Sequence, residues 1–299
     1  VLTITEWSKL NPDPLTSGVV EIFATENPVL AALPFINTAG SAFRYNIEES
    51  LPGVAFRGFN EGYVESTGVI NPMVESLTIL GGDSDYDVAQ IAMQTGGNDT
   101  RAVHDGLKAK AATLTWLRTF FDGDTSKNPK EFDGLNRRLA GNQVLSAGAN
   151  GGTLEFKMLD ELVDAVRGTP SLLLMNKTMR RTVRAMARSV NALTITTDQL
   201  GRELEGYAGV PFGLVEEDET GAEILGFDET QGTANATTSI YAVRFGADTF
   251  HGIQTKPLEA RDLGEVDDKP ALRTRMEWYS GIVLKHPRAA ARLKGVKAV

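Results

Sequence analysis

Apolar residues recur along this chain at two periods. Phe43, Tyr45 and Ile47 alternate with Arg44, Asn46 and Glu48, the period of two that a half-buried strand requires. A second strand is predicted over Val74 to Leu80. Val103, Leu107, Ala111, Leu114, Leu117 and Phe121 then follow at spacings of three or four, which marks one face of a helix. Asn98-Asp99-Thr100 supplies its N-cap candidates and Gly123 its stop, and about 22 residues at 1.5 Å each make an element ~33 Å long. Phe156, Leu159, Leu162 and Val166 predict another helix ending at Gly168, and Ser171 to Met175 reads as a short buried strand. Asn176 caps a helix whose apolar stripe is Met179, Val183 and Met186. Strands are predicted over Val210 to Glu216 and Ile240 to Phe245. The longest alternation sets Leu272, Thr274, Met276 and Trp278 against Arg273, Arg275, Glu277 and Tyr279 and runs to Leu284 before His286-Pro287 ends it, whereas strands usually stop at about six residues.

The stretches without a period are as informative. Residues 1 to 37 show none beyond a short helix predicted over Thr16 to Thr25, and read as an extended arm. Between the first two strands, Glu49 to Met73 carries Pro52, Gly53, Gly58, Gly62, Gly68 and Pro72 beside Leu51, Val54, Phe56, Phe59 and Tyr63. A loop this long has a function or a partner, and one this apolar is an aggregation hazard in water. It is expected to rest on another chain. A Gly/Asn-rich break from Ala140 to Gly152 is the best domain boundary. Strands, a long helix and strand-turn-helix units give a mixed α and β chain, without internal repeats.

Charge and composition narrow the function. Thirty Lys and Arg against thirty-nine Asp and Glu leave a net charge of -9, which disfavours nonspecific affinity for nucleic acid. The absence of cysteine removes disulfides, thiolate nucleophiles and sulfur-ligated metals together. No secretory signal is expected from the opening Val-Leu-Thr-Ile-Thr-Glu-Trp, and the uncharged stretch Asn27 to Phe43, broken by Pro28, Pro34 and Gly40, is shorter than the ~20 residues of a spanning helix. No phosphate-cradling Gly-rich lysine motif, serine-hydrolase elbow or zincin motif occurs. His104, His251 and His286 are scattered and favour structural roles. Asp83, Asp85 and Asp87 fall on one strand face and are the best metal candidates, though a solvated or salt-bridged face is the stronger reading, since Val88 and Gln94 stand where a calcium loop needs Gly and Glu. Lys177, Arg180, Arg181, Arg184 and Arg188 form a basic helix face, which the acidic turn Glu216, Glu217, Asp218 and Glu219 could meet across a subunit contact.

Several segments carry a family likeness in their order: Asn27-Pro28-Val29-Leu30 with Leu33-Pro34-Phe35, Leu51 to Gly58, Glu131-Phe132-Asp133-Gly134-Leu135, Ala208-Gly209-Val210-Pro211-Phe212, and Tyr279-Ser280-Gly281 leading to His286-Pro287-Arg288-Ala289-Ala290. With them, and along nearly its whole length, the chain resembles the major capsid proteins of tailed bacteriophages, the Hong-Kong-phage capsid fold. That resemblance implies an α+β fold: an N-terminal arm (1–37), an extended β-hairpin loop (38–82) draped over a neighbour, a peripheral domain with a long spine helix and long strand (83–139 and 254–280), and a mixed α/β axial domain (140–253 and 281–299). It implies a non-enzymatic shell protein without a cofactor, whose pentamers and hexamers close around double-stranded DNA without reading its sequence, in a virion assembled in the bacterial cytoplasm. Scaffold, portal and decoration proteins are the implied further partners, and the lack of a long segment before the arm points to a separate scaffold or a removed prodomain. Subunit contacts are then expected from Trp7, from Leu51, Pro52, Gly53, Val54, Phe56, Arg57, Phe59 and Tyr63, and from Arg180, Arg181, Arg184, Glu216 and Glu217. The family's prototype joins subunits through a loop lysine, but no lysine occurs between Lys9 and Lys108, so a noncovalent shell is expected. The alternatives are an encapsulin-type compartment shell in the same fold, or a soluble α/β enzyme or binding protein that uses Asp83, Asp85, Asp87 and His104.

Overall fold

The computed structural model describes residues 27–50, 52–93, 100–190, 193–197 and 203–298. Trp7, Leu51 and the helix expected over Thr16 to Thr25 lie outside these residues. The chain enters through helix α1 (Pro28–Ala32) and strand β1 (Phe35–Asn37). Asn27 caps α1, its side-chain oxygen accepting from the Val29 and Leu30 amides at 2.9 and 3.2 Å. Val29, Leu30, Leu33 and Phe35 are buried in the core. Residues 27–37, read from the sequence as part of an extended arm, are thus packed structure: their apolar groups are too closely spaced to remain in water once a core is beside them.

Strands β2 (Ala42–Ser50) and β3 (Val69–Ser76) form a two-stranded antiparallel hairpin. β4 (Thr78–Asp87) and α2 (Val88–Ala92) follow, then the long helix α3 (Thr100–Asp122) and α4 (Leu135–Arg138). The single strand expected over Val74 to Leu80 is divided instead. At Leu77 the chain changes partners, its amide donating to the Ser41 carbonyl at 2.9 Å, so β3 pairs with β2 and β4 with a strand from the far end of the sequence. The unpaired excursion therefore narrows to the segment between β2 and β3.

The remaining elements are β5 (Val144–Ser146), α5 (Phe156–Ala165), β6 (Leu172–Met175), α6 (Lys177–Val190), β7 (Leu193–Thr197), β8 (Glu203–Tyr207), β9 (Val210–Leu214), β10 (Glu229–Gln231), β11 (Ala234–Val243), β12 (Phe250–Gln254), β13 (Glu259–Glu265), β14 (Ala271–Leu284) and β15 (Ala290–Lys297). Among the described residues one sheet runs β1-β12-β14-β13, with β4 also on β14, and a larger one runs β5-β15-β11-β6-β9-β8-β7, with β10 on β11. The fourteen-residue β14 organises the first sheet. It pairs antiparallel with β4 over Ala271 to Ser280, with β13 over Leu272 to Glu277, and with β12 over Ser280 to Leu284. The β12–β14 ladder therefore crosses Ser280-Gly281 without a break.

Alternation explains how the two sheets share their cores. In β6, Leu172 and Leu174 enter one cluster while Leu173 and Met175 enter the other, and in β11 Tyr241 and Val243 separate likewise from Ile240 and Ala242. β6 and the Ile240–Val243 end of β11 are covered on both faces, which is why these stretches are continuously apolar. The first cluster holds Phe35, Trp116, Phe120, Phe121, Phe132, Phe250 and Trp278. Trp278 stands 5.3 Å from Phe35 and 5.7 Å from Trp116, centroid to centroid, distances at which tilted aromatic rings attract. Gly252 is required here, because a Cβ would lie 2.3 Å from the Phe35 ring.

Candidate assembly interface

The hairpin is anchored at its root and bare at its tip. At the root, Tyr45 is buried and stacks on Phe43 at 6.1 Å, and Phe43 meets His251 edge-on at 5.7 Å. Tyr45 belongs to a small cluster with Ile253 and Val283. An ion pair locks the same place. Arg138 Nη1 and Nη2 donate to the two Glu75 carboxylate oxygens at 2.5 and 2.8 Å, a two-bond fork that fixes direction as well as distance. The Tyr45 hydroxyl donates to Glu75 at 3.4 Å, and burial together with the Glu75 charge pushes it up to about 12.

At the tip, residues 52–68 have no strand partner. Val54 is 98%, Phe56 107% and Phe59 102% exposed, so their whole apolar surface faces solvent. The backbone beneath them is nonetheless held in shape. Glu61 accepts from the Gly58 amide at 2.7 Å, Arg57 Nη1 donates to the Glu61 carbonyl at 3.2 Å, and its guanidinium lies 5.3 Å over the Tyr63 ring. Ser66 bonds across to Gly53, accepting from its amide and donating to its carbonyl. Asn60 turns the chain at φ +65°, a conformation asparagine tolerates better than most residues. Polar groups are thus spent on shaping the loop, and apolar ones are presented outward. Of the residues expected at a contact, Pro52, Gly53, Val54, Phe56, Arg57, Phe59 and Tyr63 all lie together on this exposed tip.

The charged candidates sit elsewhere. Arg184 pairs with Glu205 at 2.8 Å and Lys177 with Glu216 at 3.0 Å. Lys177 thus ties the basic helix to the acidic turn within one chain, while Arg184 is taken up by Glu205 outside that turn. Arg181 and Glu217 are exposed and Arg180 is partly buried.

The aspartate row does fall on one exposed strand face, on β4. Asp83 is bound by Arg275 at 2.7 and 2.8 Å, and Asp85 by Arg273 at 2.6 and 2.8 Å and by Lys269 at 2.5 Å. Hydrogen bonds from Arg275 to Asp83, and from Arg273 and Lys269 to Asp85, hold both carboxyls below the usual range, Asp85 well below it. Asp87 turns away to accept from the Ala89 amide at 2.7 Å. Asp83 and Asp85 are thus committed to arginines of the facing strand β14 and to Lys269 just before it, and among the described residues no group of three His, Asp or Glu side chains could hold a metal. His104 lies edge-on to Tyr86 at 5.8 Å, and nothing brings it together with the aspartates as a site.

The comparisons follow this geometry. Residues 11–155 match the family of the major capsid protein GP7. A search of curated protein sequences found no match. Among solved structures, the capsid of a native GTA particle superposes with a TM-score of 0.66 at 16% identity, over 90% of this chain and 90% of that one. The chain carries the tailed-phage major capsid fold. The Mycobacterium phage Bobi structure shares this capsid fold with a TM-score of 0.64 at 13% identity, over 89% of each chain. The SrpI encapsulin of Synechococcus elongatus has it too, with a TM-score of 0.65 at 15% identity, covering 91% of this chain and 88% of that one.

Proposed function

We infer that the protein is a phage major capsid protein, a non-enzymatic shell subunit that assembles with copies of itself. The family match over residues 11–155 carries this reading, and the rigid root and bare tip of the hairpin supply its physical means. Burying Phe56 and Phe59 against a neighbour would stabilise a contact by roughly 1.5–3 kcal/mol for each ring. Every copy gives one such contact and receives one, and closed symmetry stops the assembly once each is made. In finer detail, pentamers and hexamers would close an icosahedral head around double-stranded DNA, in a virion assembled in the host cytoplasm, with scaffold, portal and decoration proteins as further partners. The arm, extended loop, peripheral domain and axial domain would divide the chain as the resemblance implies.

The encapsulin likeness favours a second reading, a compartment shell without a genome, because its TM-score equals that of the phage-type capsids to within about 0.01. Negative-stain electron microscopy of particles purified after nuclease treatment separates the two. Closed shells that retain nuclease-protected DNA are expected. Closed shells filled with protein cargo and free of DNA would favour the compartment, and monomers or dimers alone would overturn both.

A further inference from the structure

The contacts at the hairpin root divide into some that hold it and some that aim it. Glu75 stands opposite Phe43 in the β2–β3 ladder, so its side chain shares one face of the hairpin with those of Phe43 and Tyr45. That face lies on the body of the protein. Its apolar part sets Phe43, Tyr45 and Ile47 against His251, Ile253 and Val283, with Lys285 Nζ 5.9 Å over the Phe43 ring. Apolar burial keeps such a face down but has no preferred direction, so a hairpin held by it alone is free to pivot in the plane of contact.

Direction comes from Arg138. Its two terminal nitrogens engage both Glu75 oxygens at 2.5 and 2.8 Å, and its Nε donates to the Asp133 carbonyl at 2.6 Å, so the guanidinium is fixed on the body side as well as on the hairpin side. The helix that carries it is seated in turn. Leu135 is fully buried, the Gly134 amide donates to the Gly123 carbonyl at 2.8 Å, and a Cβ on Gly134 would lie 2.6 Å from the Phe121 carbonyl oxygen. The end of α3, α4, Arg138 and Glu75 thus form one connected path into the hairpin. Side-chain exposures of 12% for Arg138 and 19% for Glu75 leave the fork little screened by salt. The lever it controls is long. Fifteen residues separate Glu75 from Asn60 at the turn, a reach of up to ~50 Å at about 3.3 Å per residue, so a tilt of about 10° at the root moves the tip by up to ~9 Å. That displacement exceeds the length of a phenylalanine side chain, and Phe56 or Phe59 would miss its place.

We propose that Glu75 and Arg138 are the positioning pair of assembly: the two-bond geometry of their fork, more than its charge, sets the angle at which the hairpin presents Phe56 and Phe59 to a neighbour. The consequence for assembly rests on the shell reading, while control of the angle belongs to a single chain and is measurable there. Lysine at position 138 keeps the charge and gives up the planar fork, so Arg138→Lys separates geometry from charge.

The chain has no cysteine, so spin labels attached through Val64→Cys, on the exposed tip, and Lys130→Cys, in the exposed loop before α4, report one distance in the unassembled subunit by pulsed electron paramagnetic resonance. A single narrow distribution is expected with Arg138 and Glu75 intact. Arg138→Lys and, separately, Glu75→Gln should each broaden it about twofold and, in unlabelled chains, lower the yield of closed shells at least about tenfold, as a two-bond pair loses its fork. A pair that only adds stability would lower the Tm of both variants and leave the distribution narrow, which overturns the proposal. So would variants that broaden the distribution yet close into shells at the wild-type yield, or an Arg138→Lys chain that behaves as the wild type while Glu75→Gln fails. If the wild-type chain forms no shells, the shell reading fails by itself, and the distances still decide whether the fork aims the hairpin.

Discussion

His251 is fully buried, with neither ring nitrogen hydrogen-bonded among the described residues. Burial, reinforced by the Lys285 charge and opposed by Asp248, pulls its imidazole down to about 4. The same ring in the unfolded chain titrates near 6.5. Between those values the unfolded state binds more protons than the native one, so stability falls as pH drops from about 6.5 towards 4. The urea midpoint of the wild type should decline across that interval, and His251→Gln should lose part of the slope whatever its own stability. Equal slopes in the two proteins would contradict this account. The sequence supplied this histidine only as one of three scattered rings, because burial is set by Phe43, which lies more than 200 positions earlier. The aspartate row was better marked. Its alternation revealed an exposed face, but the cations that take up Asp83 and Asp85 stand on a strand nearly 200 residues away.

At the scale of elements, β14 and α3 were both legible, the one from a sustained period of two and the other from spacings of three and four. Their meeting was not. Trp278 of β14 lies against Trp116 of α3 and Phe35 of β1, fully buried, with its Nε1 donating to Gln254 at 3.0 Å. Trp278→Ala should therefore cost about 3–5 kcal/mol, read as the loss in unfolding free energy by urea titration of the unassembled subunit. A loss below about 1 kcal/mol would mean that this cluster is not the anchor the packing indicates. The hairpin shows where a local pattern misleads. Val74 to Leu80 reads as one strand, yet Leu77 marks the change of partners, and only the ladders of β2 and β14 decide where one strand ends and the next begins.

For the whole molecule, the tip of the hairpin has no packing to lose within its own chain. Deletion of Pro52 to Gly62 should leave a folded subunit with an unchanged Tm and abolish closure into shells, as judged by sedimentation and electron microscopy. Normal shells from the shortened chain would remove the tip from the assembly interface. With no lysine between Lys9 and Lys108, the loop cannot supply the lysine of an isopeptide bond to a neighbour. Mature particles boiled in detergent should run as monomer-sized bands on a denaturing gel, and a ladder of covalent multimers would contradict a noncovalent shell.

The sequence by itself determined what is local: the periods that make α3, α5, α6 and β14, the Asn176 cap confirmed by its 2.8 Å bond from the Met179 amide, and the long apolar excursion between the first two strands. Tertiary structure decided what joins distant positions. It packed Val29 to Phe35 into the core, clamped Glu75 with Arg138 across 63 residues, and paired Lys177 with Glu216 inside the chain. The physical reason is that periodicity records which side of an element is buried, whereas pairing and charge neighbours depend on which element arrives at that side.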